Sequence, residues 1–167
     1  QFGSSQDKEV QQIMSRWEGK TIFTFTGNVG EAQDFPSVIK GLKKSYRIKD
    51  IIFLVIGDGR YKDELIKSIQ SEDLDSTVFC LGTYPMDYMP LFYYYSSFLI
   101  VSLRDTSIFA YTLPGKVQSY MSSGKPIIGM VNGEAARVIN DSECGYTVAS
   151  GDHNAFAGII DICCSLD

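Results

Sequence analysis

Six apolar runs of strand length recur along the chain, and the intervals between them are long enough for helices. Several runs are continuously apolar rather than alternating with polar residues, which is typical of strands that are covered on both faces. The predicted strands are 21–26, 51–56, 77–81, 97–101, 126–130 and 145–149.

Between the runs, apolar residues recur every three or four positions, as they do on the buried face of an amphipathic helix. One such face contains Phe35, Val38, Ile39 and Leu42. The predicted helices are about 8–17, 34–46, 61–71, 86–95, 114–123, 134–140 and 152–166.

The regular alternation of strands and helices predicts an α/β fold. With right-handed crossovers, six such strands form a Rossmann-like, doubly wound, mostly parallel sheet with helices on both faces. We expect residues 1–19 to be a flexible lead-in and an N-terminal helix, and residues 20–167 to form one domain.

The loops that follow the strands are the predicted place for a binding site. In such sheets, ligands bind beyond the carboxyl ends of the strands, where the strand order reverses. In the usual order the first and fourth strands flank that point, so loop 27–33 and segment 102–116 are predicted to face one crevice. Gly27 and Gly30 permit tight turns and a close approach of the backbone to a ligand.

The segment 113–130, LPGKVQSYMSSGKPIIGM, predicts a loop, a short helix, a glycine turn and a buried strand. Pro114 suits the first helical position, and Lys116 falls in the first turn, where the helix dipole disfavours a cation. A cation held there needs an anionic partner, and the free N–H groups at a helix start favour phosphate. The alternative is an ordinary helix with a solvated lysine.

Composition and missing motifs exclude several classes of function. The formal net charge is −5, whereas a general nucleic-acid binder is basic. The glycine loop lacks the GxGxxG spacing of nicotinamide-binding proteins, and the sequence has no Walker A lysine motif. No apolar run reaches the roughly 18 residues that a membrane span needs. We therefore expect neither a nucleic-acid partner nor a direct membrane span.

The cysteines and the one histidine suggest no metal chemistry. The four cysteines include no CxxC pair, which argues against a zinc site and favours a reducing compartment. Cys80 and Cys144 fall in apolar runs and are expected to be buried. His153 is expected at the surface or at a helix start, and we expect no metal site.

Five motifs, in this order and spacing, resemble the C-terminal half of family 4 glycosyltransferases of the GT-B fold. The motifs are FTGNVGEAQDF, FLVIGDGRYKDEL, VFCLGTYPMDYMPLFYYYSSFLIVSLRD, LPGKVQSYMSSGKPIIGMVNGEAARVI and CGYTVASGD. The chain is most similar to the subgroup that adds amino sugars during bacterial surface-polysaccharide assembly. The resemblance covers about residues 20–152.

This resemblance implies a nucleotide-sugar donor site, with a set of residues for each part of the donor. The sets are Gly27, Asn28, Gly30 and Lys116 for the diphosphate, Thr83, Tyr84 and Pro85 for the base, and Arg104, Asp105 and Thr106 for the transferred sugar. Backbone N–H groups and a lysine suit a diphosphate leaving group, whose negative charge develops as the glycosidic bond breaks.

The chain departs from the family pattern at four positions. Many members carry two glutamates eight positions apart, where this chain has Tyr111 and Ser119. The carboxylate that would bind the ribose is therefore missing, although the Ser119 hydroxyl still offers a hydrogen bond. Many members also carry an arginine and a lysine in the first loop, where this chain has Asn28 and Gln33. The diphosphate must then rely more on Lys116, the backbone and Arg104.

The function that the resemblance implies is transfer of a sugar from a nucleotide diphosphate donor, expected to be uridine-linked. The acceptor would be lipid-linked or a saccharide, in the biosynthesis of a polysaccharide such as a capsule, with retention of anomeric configuration. No cofactor is implied. Acceptor binding and the main catalytic groups are expected on an N-terminal half, so this chain alone is expected to be inactive. The expected location is the cytoplasm, at the inner membrane face through the full-length enzyme.

Two other functions remain open from the residues. One is a half-domain of a sugar-nucleotide epimerase, for which the acid–base candidates are Asp105, Glu134 and His153. The other is a nucleotide-binding domain without catalysis that pairs with a partner protein.

Overall fold

The computed structural model describes residues 3–166, and within that range it leaves out the side chains of residues 109 and 110. The first two residues of the predicted lead-in and residue 167 therefore lie outside the described residues. One six-stranded sheet organises the molecule, with the strand order β3-β2-β1-β4-β5-β6. The strands are β1 (Thr21–Thr26), β2 (Ile51–Ile56), β3 (Val78–Gly82), β4 (Phe98–Ser102), β5 (Ile127–Met130) and β6 (Gly145–Val148).

Every neighbouring pair of strands runs parallel, so the sheet is fully parallel. Where β1 pairs with β2, Thr21 lies beside Ile51 and Thr26 beside Ile56. The carboxyl ends of β1 and β2 are therefore level, and the loops that follow them start side by side.

Helices cover both faces of the sheet, because both faces are apolar. The helices are α1 (Ser5–Met14), α2 (Phe35–Lys44), α3 (Lys62–Ser71), α4 (Met89–Tyr95), α5 (Ser107–Ala110), α6 (Gly115–Ser122), α7 (Gly133–Asp141) and α8 (His153–Cys163). Helices α2, α3 and α8 pack through residues such as Phe35, Leu65 and Phe156 against one face. Helices α1, α4, α6 and α7 pack through residues such as Val10 and Phe92 against the other. The predicted doubly wound α/β fold is confirmed.

The element boundaries differ from the prediction by a few residues, and one helix was not predicted. Helix α1 begins at Ser5 because the Ser4 hydroxyl accepts a hydrogen bond from the Asp7 backbone N–H at 3.1 Å. Helix α5 lies between the fourth strand and residue 114, where no helix was predicted, because one turn is too short to show a helical period in the sequence. Helix α8 ends at Cys163, before the predicted residue 166.

The expectation that Cys80 and Cys144 are buried was wrong, because both thiols are half-buried. Cys80 lies on edge strand β3, where no further strand covers it, and Cys144 directly precedes the other edge strand, β6. Cys80, Cys144 and Cys164 are free thiols. Across residues 3–166, no helix is both long enough and apolar enough to cross a membrane.

Candidate functional site

A cleft of about 540 Å³ opens at the carboxyl edge of the sheet, between the loops that follow β1, β2 and β3 and the start of α6. This is the edge where parallel α/β sheets bind ligands, and β1 and β4 flank the reversal of strand order. The cleft is lined by Thr26, Gly27, Asn28, Ile56, Gly57, Asp58, Thr83, Tyr84, Met86, Met89, Tyr93, Lys116 and Ser119.

Two glycines form the floor between the first two loops. The Gly27 N–H donates to the Ile56 carbonyl at 2.9 Å, and the Gly57 N–H donates to the Gly82 carbonyl at 2.8 Å. A Cβ atom at Gly57 would lie 1.8 Å from the Gly27 carbonyl oxygen, and Gly57 has φ +148°. Only glycine fits this approach of the two backbones.

Lys116 reaches from the first turn of α6 to the glycine floor. Its Nζ lies 3.6 Å from the position that a Cβ at Gly27 would take. The same atom lies 3.8 Å from the centroid of the Phe25 ring. Although Nζ is buried, it has no hydrogen-bond partner within the described part of the chain. Burial lowers the pKa of Lys116 to about 7, because a desolvated ammonium is costly.

The first loop is held by one of its own side chains and by the backbone of the second loop. The Gly30 N–H donates to Gln33 Oε1 at 3.0 Å, and the Val29 N–H donates to the Asp58 carbonyl at 2.9 Å. Gln33, which stands where many family members have a basic residue, is therefore used to hold the turn. Asn28 lines the cleft, whereas Gly30 does not.

Tyr84, in the loop that follows β3, lines the cleft. Its ring packs edge-on against Phe92, with centroids 4.8 Å apart, and lies 5.6 Å from the ring of Tyr88. Thr83 lines the cleft beside it, whereas Pro85 does not. These aromatic contacts hold the side chain of Tyr84 in place.

The three residues assigned to the sugar are not brought to this cleft. Arg104, Asp105 and Thr106 are exposed and are not among its lining residues. The Arg104 N–H donates to the Ala32 carbonyl at 2.8 Å, so this loop does lie against the first loop. The prediction that loop 27–33 and segment 102–116 face one crevice holds for Lys116, which lines the cleft. Arg104 contacts the first loop but lies outside the cleft lining.

Of the eleven predicted site residues, six line the cleft. They are Gly27, Asn28, Thr83, Tyr84, Lys116 and Ser119. Ser119 is exposed, and its hydroxyl donates only a long hydrogen bond of 3.4 Å to the Gly115 carbonyl. Tyr111, at the position of the other missing glutamate, is 88% exposed and outside the cleft lining.

The sequence reasoning missed a buried polar cluster formed by Thr26, Tyr93 and Tyr120, of which Thr26 and Tyr93 line the cleft. The Thr26 N–H donates to the Tyr120 hydroxyl oxygen at 2.9 Å. The Thr26 hydroxyl also lies 3.1 Å from that of Tyr93 and 3.2 Å from that of Tyr120. Burial raises the pKa of both tyrosines, so both hydroxyls stay protonated. The sequence offered only one sign of this cluster, a tyrosine on the apolar face of each of two helices. That pattern is equally typical of core packing.

The acid–base candidates considered for an epimerase do not line the cleft. Glu134 is paired with Arg137 on α7, and the hydrogen bond to that guanidinium lowers the pKa of the carboxyl. His153 is the first residue of α8, as expected for a helix-start role. Asp105 is exposed. Among residues 3–166, no group of three or more His, Cys, Asp or Glu side chains is placed to hold a metal ion.

Known proteins match this chain both in sequence and in fold. The family described as "Glycosyl transferases group 1" matches residues 6–165. WbjE of Pseudomonas aeruginosa, a probable glycosyltransferase, is 28% identical over 153 residues, which are 90% of this chain and 38% of that protein. The chain therefore spans well under half of this relative.

Solved structures share the fold at low sequence identity. Alr3699/HepE of Anabaena, in complex with UDP, has a TM-score of 0.80 at 16% identity, over 97% of this chain and 43% of that one. The same protein has also been solved with UDP-glucose. The C-terminal domain of LpcC of Francisella tularensis, a group 1 family glycosyl transferase, has a TM-score of 0.74 at 18% identity. That likeness covers 98% of this chain and 85% of the LpcC chain.

The fold likenesses agree with the expected half of a GT-B fold. The family match is stronger evidence than the fold likenesses, because it spans nearly all of the sequence rather than one motif. On that evidence, this chain belongs to the group 1 glycosyltransferases.

Proposed function

We propose that the cleft binds a nucleotide diphosphate sugar and that the domain presents this donor for glycosyl transfer. The observation that carries the proposal is the buried, unpaired Nζ of Lys116 beside the backbone of Gly27. A buried cation without an anion is destabilising, and a diphosphate would supply the missing partner. The complexes of Alr3699/HepE with UDP and UDP-glucose support this choice of ligand.

The diphosphate would lie between the glycine floor and the start of α6. Small residues there leave the backbone accessible, and a helix N-terminus favours negative charge. As the bond from the sugar to the diphosphate breaks, charge grows on the leaving oxygen. Lys116 would stabilise that charge at a fixed position, which is the role that preorganised donors play in transition-state stabilisation. This arrangement needs no metal ion.

The nucleoside would extend away from Lys116 along the two other sides of the cleft. The base would lie at Thr83 and Tyr84, and the ribose near the exposed hydroxyl of Ser119. The sugar would point toward loop 104–106, which lies against the first loop. Those three side chains are exposed and lie outside the cleft lining. Any contact that they make with the sugar would therefore lie at the edge of the cleft.

For the whole protein, we propose transfer to a lipid-linked or saccharide acceptor in polysaccharide biosynthesis, with retention of configuration. Acceptor binding would lie in the part of the relatives that this chain does not match. We also propose the reducing cytoplasm as the location, with attachment to the inner membrane face through other parts of the enzyme. The free thiols of Cys80, Cys144 and Cys164 are compatible with that compartment.

Replacing Lys116 with methionine tests the donor site. Lys116→Met keeps an apolar side chain of similar length and removes the charge that lies over the Phe25 ring, so the fold should be retained. We expect UDP to bind about tenfold to a hundredfold more weakly, since a hydrogen bond to a charged group contributes roughly 1.5–3 kcal/mol. Isothermal titration calorimetry measures the affinity, and circular dichroism checks the fold.

The matched control is Lys67→Met, because Lys67 is 70% exposed on α3 and pairs with Glu64. This variant should bind UDP like the unmodified chain. Comparing UDP with GDP and dTDP would identify the base. Equal UDP affinities for Lys116→Met and Lys67→Met would contradict the proposed role of Lys116, and absence of UDP binding by the unmodified chain would refute the donor site.

A further inference from the structure

Helix α1 is joined to the segment that borders the cleft by three side-chain hydrogen bonds. Gln6 Nε2 donates to Asp87 Oδ2 at 2.7 Å. The Tyr88 hydroxyl donates to Glu9 Oε2 at 2.9 Å. Further along, the Tyr95 hydroxyl donates to Asp7 Oδ1 at 2.9 Å. Two of the three bonds end in the same 3-10 turn, Met86–Tyr88.

That turn forms one wall of the cleft. Met86 lines the cleft although its side chain is 80% exposed, so few contacts hold it. Tyr88 does not line the cleft, but its ring packs against Tyr84, which does. No side chain caps the start of the turn. Contacts from outside the turn must therefore contribute to its position.

Helix α1 is packed against the core and can support such contacts. Val10 and Met14 are buried in the core on one face of the sheet, together with Trp17 just beyond the helix. The polar residues that reach the turn lie on the same helix as Val10 and Met14. A side chain fixed to a packed helix loses less entropy when it binds than one on a free segment.

We propose that Glu9 and Tyr88 are positioning residues for the base-binding side of the cleft. The hydrogen bond fixes Tyr88, Tyr88 buttresses Tyr84, and Tyr84 meets the base. Neither Glu9 nor Tyr88 touches the ligand. The inference rests on the proposed function, since it assumes that a nucleotide base lies against Tyr84.

The protonation of Tyr88 suits this role. The hydrogen bond to the Glu9 carboxylate is the main cause of a raised pKa for the Tyr88 hydroxyl. The hydroxyl therefore remains a donor at neutral pH. An ionised acceptor also makes the bond stronger than one between neutral groups.

The test compares UDP with inorganic pyrophosphate, which has no base. We expect Glu9→Ala and Tyr88→Phe each to weaken UDP binding about threefold, the effect of losing one partly exposed hydrogen bond. The double variant should bind no more weakly than either single one, since both remove the same interaction. Glu9→Gln keeps an acceptor oxygen and should restore most of the affinity. Pyrophosphate should bind equally to all of these variants.

Tyr95→Phe is the matched control, because it removes a bond of the same length between the same two elements, α1 and the segment that contains α4. It should leave UDP affinity unchanged, which separates positioning of Tyr84 from general loosening of α1. Unchanged UDP affinity in Glu9→Ala and Tyr88→Phe would overturn the inference, as would a parallel loss of pyrophosphate binding. Failure of the unmodified chain to bind UDP would instead refute the proposed function, and the inference with it.

Discussion

Lys116 is a buried cation whose Nζ has no hydrogen-bond partner among the described residues. An ammonium group that is buried without an anion is costly, and the cost shows as a pKa lowered to about 7 by desolvation. Asp58, the carboxylate lining the same cleft, is 60% exposed and lies 3.5 Å from Lys62. The ligand is therefore the proposed source of the compensating charge.

The pH dependence of folding follows from this shift. Because the pKa of Lys116 is lower in the folded chain than in the unfolded chain, the unfolded chain binds more protons between about pH 7 and about pH 10. The contribution of Lys116 to the free energy of unfolding should thus rise with pH across that window. Below about pH 7 its full cost is present.

Donor binding should show the opposite pH dependence. In the proposed site, UDP-glucose would need the charged form of Lys116, so its affinity should fall as pH rises above about 7, approaching tenfold per pH unit. Binding at about pH 8 should take up a proton, which calorimetry in two buffers of different ionisation enthalpy measures. Lys116→Met is the control and should lose the proton uptake. An equal pH dependence in that variant would show that another group titrates.

At the scale of elements, the register between β1 and β2 determines which residues form the floor of the cleft. Since Thr26 pairs with Ile56, the residues that follow, Gly27 and Gly57, come into backbone contact. The bond from the Gly57 N–H to the Gly82 carbonyl adds the third strand to the same edge. The close approach of the first two backbones requires glycine at residue 57.

Gly57→Ala should therefore be strongly destabilising. Its methyl group would overlap the Gly27 carbonyl, and φ +148° is strained for any other residue. We expect a loss of more than about 3 kcal/mol in the free energy of unfolding, or failure to fold. Gly158→Ala is the control: it lies within α8, a Cβ there would meet nothing within 4 Å, and it should gain about 0.5–1 kcal/mol. Urea denaturation measures both, and a near-neutral Gly57→Ala would be inconsistent with this packing.

At the scale of the whole molecule, we propose that the chain provides one wall of a larger site. It matches 38% of WbjE and 43% of Alr3699/HepE, and those relatives contain further residues that this chain does not match. The cleft opens at the carboxyl edge of the sheet, where Ile108 and Tyr111 are 72% and 88% exposed. A second wall is expected to meet this edge.

This chain should therefore bind the donor but show no catalytic turnover. We expect it to bind UDP-glucose without transferring or hydrolysing the sugar, because the proposed acceptor site and main catalytic groups lie elsewhere. Release of glucose, followed enzymatically over hours, measures the hydrolysis. An intact group 1 glycosyltransferase assayed with its own donor is the positive control. Turnover by this chain at a comparable rate would place the catalytic groups within residues 1–167.

Much of the fold could be predicted because the information is local. The continuous run 51–56 and the spacing of Phe35, Val38, Ile39 and Leu42 each report burial within a few residues. Helix α5 was missed because four residues carry no period. Cys80 was misplaced because a strand sequence does not tell whether the strand lies at the edge of its sheet.

The sequence by itself determined the alternation of strands and helices, the glycine loops and the position of Lys116 in a first helical turn. Only the tertiary structure decided which of these features meet. It brought Lys116 to Gly27, joined Thr26 to Tyr93 and Tyr120, and left Arg104 outside the cleft lining. The physical reason is that hydrophobic periodicity is set by near neighbours. Contact, burial and the pKa of Lys116 instead depend on which distant residues exclude water from the same place.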